Sequence, residues 1–427
     1  MSLDSWSTEL LVLLVLAAVV GLSIWGWRRF RFRRTFRFAS LLVTQVLALV
    51  AILVPVNISG QFFGDWQDIT GSTAGLVASN VVSHEGEAPG SAVITPSTVP
   101  SESGDLRSRA RPASTPPGAG PAAPSAAPSG ATAGSSAIAP GPGDPPASSG
   151  PGDWRTTALE RDQDRVEARK SRVVDIVVHG QMTGYNEVAS VYLPGSYAID
   201  PNRRYPLLQL QAGYPGNHQT WIKYLKIKQM LDDLIASGKL PALIAVMADQ
   251  NPVHDRDSEC VDADPSLMPG SLADTFLSSD VPTYIRAHFR AGTGRDDLVI
   301  GGYSTGGFCA ANLALRHPDT YGGVIVLSGY FSANTDGTTG RLYRDHEQRD
   351  ANSPLVTVHQ PHPPIAFFLG AAANASDDME GLTSMADAIP QSDPLDVMTT
   401  PTGGHSGRSW KVLMPQALIW MASELAR

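Results

Sequence analysis

The chain has 427 residues, with 32 Lys and Arg against 41 Asp and Glu, a net charge of −9. That acidic balance disfavours any role built on gripping nucleic-acid phosphates. Its two cysteines, Cys260 and Cys309, are too few for a zinc ribbon, an iron–sulfur site or a disulfide-dense scaffold, which leaves room for one disulfide at most.

Residues 1–60 have the composition of a membrane anchor. Leu10 to Trp27 and Phe38 to Ile58 are free of charged residues, and each run is long enough as a helix to cross roughly 30 Å of hydrocarbon. Two transmembrane helices are therefore expected. Between them lie Arg28, Arg29, Arg31, Arg33, Arg34 and Arg37, which the positive-inside rule keeps in the cytoplasm, so both chain ends face outward. A cleaved signal peptide is the alternative. It requires a small-residue cleavage site after the apolar run, whereas this run ends in Trp25-Gly-Trp-Arg-Arg. The expectation is a multi-pass protein of the cell membrane, partnered by the lipid bilayer, with the rest of the chain extracytoplasmic.

Residues 61–152 have the composition of a linker. No aromatic residue occurs between Trp66 and Trp154, and 35 of the 40 residues from Arg111 to Gly150 are Ala, Pro, Gly or Ser. Such a stretch buries too little apolar area to offset its chain entropy, which predicts a disordered, extracytoplasmic spacer.

Residues 153–427 suffice for one large domain. Val173 to Val178 and Glu187 to Tyr192 are predicted as opening strands. Further apolar runs follow at Leu207–Leu210, Leu243–Met247, Leu298–Ile300, Val324–Leu327 and Ile365–Leu369. Short buried runs alternating with helical patterns predict an α/β domain whose mostly parallel sheet is covered on both faces.

The most informative segment is Leu298-Val-Ile-Gly-Gly-Tyr-Ser304-Thr-Gly-Gly-Phe-Cys-Ala. A strand enters the G-x-S-x-G pattern and a helix-forming run leaves it, the context of a nucleophile elbow. The helix start places backbone amides beside the reacting carbon. A serine hydroxyl needs a histidine to remove its proton and a carboxylate to hold that histidine's tautomer. His405, in the loop Pro401-Thr-Gly-Gly-His-Ser-Gly, suits the base. His317 ends the elbow helix before Pro318, and His359 and His362 lack a third ligand at metal-site spacing, so no metal and no cofactor is expected. For the acid, Ile365–Leu369 runs into a segment holding Asp377, Asp378 and Glu380. Asp377 is the first choice, with Asp378 and Glu380 as alternatives and Asp387, Asp393 and Asp396 behind them.

Taken together, Gly302-Tyr-Ser-Thr-Gly-Gly-Phe-Cys-Ala, Leu313-Ala-Leu-Arg-His-Pro, Leu327-Ser-Gly-Tyr and Gly403-Gly-His-Ser resemble the esterase family of α/β-hydrolases that includes esterase D and the antigen 85 mycolyltransferases. The likeness covers residues 172 to 426. It implies an α/β-hydrolase fold and an oxyanion hole formed by the amides of Tyr214 and Thr305, although Gln211-Ala212 stands where many relatives carry His or Asp. The chain also resembles membrane-anchored envelope proteins of actinobacteria. An oxidising exterior permits Cys260 and Cys309 to pair, the alternative being two separate buried thiols. The expected activity is a serine esterase acting on a small-molecule or lipid ester through an acyl-enzyme. Two alternatives stand beside it: acyl transfer of the mycolyltransferase type to a sugar or lipid alcohol, and a non-catalytic envelope-binding protein.

Overall fold

The computed structural model of the protein describes residues 6–29, 33–60, 76–84, 154–253 and 255–427. The chain divides into two compact units, one of residues 1–87 with 143–427 and one of residues 88–142. The whole second unit, and with it most of the expected linker, lies outside the described residues.

Two long helices open the first unit, α1 (Trp6–Arg29) and α2 (Arg33–Gly60). They pack side by side, and Leu14, Ile24, Trp25, Phe38, Leu42 and Ile52 keep their large apolar side chains exposed. Among the described residues no helix is long and apolar enough to cross a membrane. The structure therefore does not support the two transmembrane spans expected here.

Apart from short helical turns, the remaining elements in chain order are β1 (Ser79–His84), α3 (Ala158–Glu167), β2 (Arg172–His179), β3 (Asn186–Leu193), β4 (Leu207–Gln211), α4 (Ile227–Ala236), β5 (Ile244–Ala248) and α5 (Val281–His288). They continue with β6 (Leu298–Tyr303), α6 (Thr305–Arg316), β7 (Gly323–Leu327), β8 (Ala366–Ala372), α7 (Ser376–Ala388), β9 (Leu395–Thr400) and α8 (Gly407–Leu425). The strands form one sheet in the order β1-β9-β8-β7-β6-β4-β5-β3-β2. Pairing is parallel from β5 through β4, β6, β7 and β8 to β9, and antiparallel at both margins, where β2 and β3 lead into β5 and β1 closes on β9. The central strands are buried along their whole length, as continuous apolar runs in a doubly covered sheet must be.

β1 corrects the expected linker boundary. Ser79–His84 lies within 61–152, yet it pairs with β9 from Ser79↔Thr399 to His84↔Leu395. Val81 and Val82 supply β-branched residues, the Asn80 amide donates to Asp396, and Leu76, just ahead of the strand, is buried against Gly403. α8 covers the β7–β9 end of the sheet. Its Trp410, Leu413, Met414, Ala417, Leu418 and Met421 are buried at helical spacing, each large side chain stabilising the fold by about 1.5–3 kcal/mol.

Candidate active site

β6 ends at Tyr303 and α6 begins at Thr305, which leaves Ser304 to make the whole turn. Its φ of 56° and ψ of −129° lie in a region that L-residues avoid, a conformation costing about 1–3 kcal/mol that the surroundings must enforce. Two glycines enable it. A Cβ on Gly302 would stand 2.0 Å from the Gly306 carbonyl oxygen, and one on Gly306 would stand 2.3 Å from that of Gln211. Strand, turn and helix can approach this closely only where both side chains are missing. The Ser304 amide donates to the Leu327 carbonyl at 2.9 Å, which fixes the turn against β7.

His405 reaches Ser304 from the loop after β9. Its Nε2 lies 2.9 Å from Ser304 Oγ. The loop is held by the Gly404 amide donating to Asn374 Oδ1 at 3.0 Å, and by the hydroxyls of Ser406 and Ser409 donating to the Gly403 and Gly404 carbonyls at 2.6 and 2.9 Å. Trp410 places its ring edge-on to the imidazole, with centroids 5.4 Å apart, and stacks on Tyr303 at 4.3 Å. Neither aromatic contact was singled out from sequence, where Trp410 is simply the start of an apolar helix.

The carboxylate that stands at His405 is that of Asp378 and not that of Asp377. His405 Nδ1 stands 2.9 and 3.0 Å from the two Asp378 carboxylate oxygens. Asp377 is exposed and takes a hydrogen bond from the Ser376 hydroxyl at 3.2 Å. Glu380 is also exposed. The cause is helix phase: Asp378, Leu382 and Met385 fall at i, i+4 and i+7 of α7, and the latter two are its buried residues, so Asp378 shares the face that meets the sheet. One residue earlier, the side chain turns to solvent.

Tyr214 and Thr305 flank Ser304 from two elements, the loop after β4 and the first turn of α6. Among the described residues neither amide has an intramolecular acceptor, so both remain available to a developing oxyanion. Ser304, His405 and Tyr214 line a cavity of about 340 Å³ with Gly213, Pro215, Gly216, Thr220, Tyr224, Tyr303, Ser406 and Trp410.

The base of α6 is clasped by a loop whose role the sequence left open. Cys260 and Cys309 form a disulfide with Cα atoms 5.3 Å apart, joining that loop to α6. Beside it, Asp257 Oδ2 accepts the Thr305 hydroxyl at 3.0 Å. Glu259 is fully buried and accepts from the Tyr330 and Tyr343 hydroxyls at 2.9 and 2.7 Å and from the Asn334 amide at 3.1 Å. Burial raises the Asp257 carboxyl to about 6 and the Glu259 carboxyl to about 7. The folded chain thus holds these protons to higher pH than the unfolded chain, whose carboxyls titrate near 4. Stability from both groups is fully present below about pH 4 and declines as pH rises to about 7. Denaturant unfolding at pH 5 and pH 7.5 should show a smaller loss for Glu259→Gln than for the unaltered chain; equal losses would remove this assignment.

Among the described residues no group of three or more His, Cys, Asp or Glu side chains could hold a metal ion. His317 pairs with Asp274 at 2.5 Å, and His362 Nε2 stands 3.6 Å from Asp393, so both serve the fold.

Comparison with known proteins bears on the family and the fold. A protein of Corynebacterium glutamicum described as uncharacterized is 27% identical over 246 residues, which is 55% of this chain and 56% of that protein. An endo-1,4-beta-xylanase/feruloyl esterase of Xylanibacter ruminicola is 28% identical over 176 residues, 40% of this chain and 24% of that one. The chain thus spans 56% or less of the length of these two relatives. Among solved structures, a ferulic acid esterase superposes with a TM-score of 0.51 at 22% identity, covering 60% of this chain and 98% of its own. An S-formylglutathione hydrolase from Agrobacterium tumefaciens does so at 0.50 and 18%, covering 60% and 95%. These likenesses show the α/β-hydrolase fold. The sequence profile described as "Putative esterase" matches residues 181–421, more than half of the chain, and the protein belongs to that esterase family.

Proposed function

We propose that the protein is a serine carboxylic-ester hydrolase tethered to a membrane, with its catalytic domain outside the cytoplasm. The observation that carries the chemistry is the unbroken chain from Ser304 Oγ through His405 to Asp378, at 2.9 Å on each side of the imidazole. Ser304 Oγ attacks the ester carbon as His405 Nε2 takes its proton, and Asp378 stabilises the imidazolium that forms. The amides of Tyr214 and Thr305 hold the oxyanion. Collapse breaks the bond to the leaving oxygen, which receives the proton from Nε2. Water, deprotonated by His405, then releases the acid from Ser304 by the same path. A cavity of about 340 Å³ lies at the small end of ligand sites, which favours a compact acyl group.

Support for the tether comes from the charge-free runs of α1 and α2, the six arginines between them and the exposed apolar side chains on both helices. The Cys260–Cys309 disulfide fits an oxidising compartment. Incubation of the full chain with a fluorophosphonate probe should label Ser304, and turnover of a 4-nitrophenyl ester should yield the free acid. Added glycerol yielding mainly the exchanged ester would move the reading to acyl transfer. The labelled protein should sediment with membranes and be freed by detergent. Release by salt alone would overturn the tether.

A further inference from the structure

The segments that wall the catalytic cavity differ in charge from the rest of the chain. Neither Gly213–Leu231 nor Val397–Ser423 contains an Asp or Glu, while together they carry Lys223, Lys226, Lys228, Arg408 and Lys411. This happens in a chain whose acids outnumber its bases by nine. Several of these groups are already engaged. Lys228 pairs with Asp232 at 2.7 Å, and Lys223 donates to Gln219. Asp249, which reaches this region from the end of β5, is taken by the ring and amide of His218 at 2.9 and 2.5 Å. Asp378 faces His405.

Lys226 and Lys411 remain without a carboxylate partner among the described residues. Lys411 Nζ lies 5.0 Å from the centroid of the Tyr224 ring, and that ring lines the cavity together with Ser304 and His405. One edge of the ring packs on Gly407, where a Cβ would come within 2.6 Å of it. Lys226 follows Tyr224 by two residues, in a left-handed conformation with φ of 59°. Burial, and then the positive charge of Lys226, lower the pKa of Lys411. The Lys411 ammonium thus stands beside the Tyr224 end of the cavity, and Lys226 is exposed on the same segment as Tyr224.

Resting on the serine-hydrolase reading above, we infer that this end of the cavity takes an anionic group of the substrate, a carboxylate or a phosphate, between Lys226 and Lys411. The preferred ester is then a negatively charged one. A bound anion would relieve the repulsion between the two lysines, and the local positive field would draw such esters to an otherwise acidic protein.

The test compares kcat/KM of the full chain for 4-nitrophenyl butyrate with that for mono-4-nitrophenyl glutarate, which adds a carboxylate, and for 1-butyryl-glycerol 3-phosphate, which adds a phosphate. Lys411→Met keeps the alkyl stem over Tyr224, and Lys226→Asn tolerates the left-handed backbone. Each should lower the anionic-to-neutral ratio about fivefold, the worth of one charge at about 4 Å in water, with the change in KM. Lys411→Arg should restore it, and added salt should erode it. The arm with the larger effect distinguishes carboxylate from phosphate. An unchanged ratio, or equal losses on neutral and charged esters, would overturn the inference alone. No turnover of any ester by the unaltered chain would overturn the hydrolase reading as well.

Discussion

Replacing Ser304 by Ala is expected to abolish probe labelling and to lower ester turnover roughly 10⁶-fold, the scale seen when a triad nucleophile is removed. The fold should be kept. Only one oxygen is lost, its partner is the partly exposed His405, and the strained backbone at φ 56° is demanded of either residue. The melting temperature should stay within a few degrees, because no cavity opens and no buried donor is stranded. Turnover surviving in this variant would remove Ser304 as the nucleophile, and with it the acyl-enzyme.

What the sequence revealed about this site depended on how local each signal was. Ser304 sits in a five-residue pattern whose glycines are dictated by contacts within the turn and with the loop after β4, so strand, turn and helix are all written nearby. His405 was legible because a glycine-rich loop before the final helix offers reach. The acid was not settled, since three carboxylates fall within four residues and composition treats them alike. The deciding information is helical phase, and it was present: Leu382 and Met385 mark the buried face of α7, and counting back from them gives Asp378. Likewise β9, with Asp396 buried as its second residue, lacks the continuous apolar run that revealed the other parallel strands. β1 was hidden in polar surroundings because its ladder partner lies more than three hundred residues away in sequence. The clasp behind Thr305 was legible only as two cysteines. That it carries Asp257 to the Thr305 hydroxyl, next to Ser304, is a tertiary fact.

Changing Asp378 to Asn is expected to lower kcat/KM about 10⁴-fold while the chain remains folded. Both Asp378 oxygens face His405 Nδ1 at 2.9 and 3.0 Å, so the carboxylate accepts the Nδ1 proton and leaves Nε2 free to receive the proton from Ser304. An amide in the same place can present its NH₂ to Nδ1. The imidazole then carries its proton on Nε2, where it blocks the base, and it also loses the negative charge that steadies the imidazolium. Asp377→Asn and Glu380→Gln should each change kcat/KM by less than about twofold, because both side chains lie on the exposed face of α7 and surface changes there perturb little. Measured below saturation on folded protein, the ratio reports transition-state stabilisation directly. Collapse in the Asp377 variant with near-full activity in the Asp378 variant would mean that α7 is rotated by one residue, about 100°, from the phase its buried Leu382 and Met385 define.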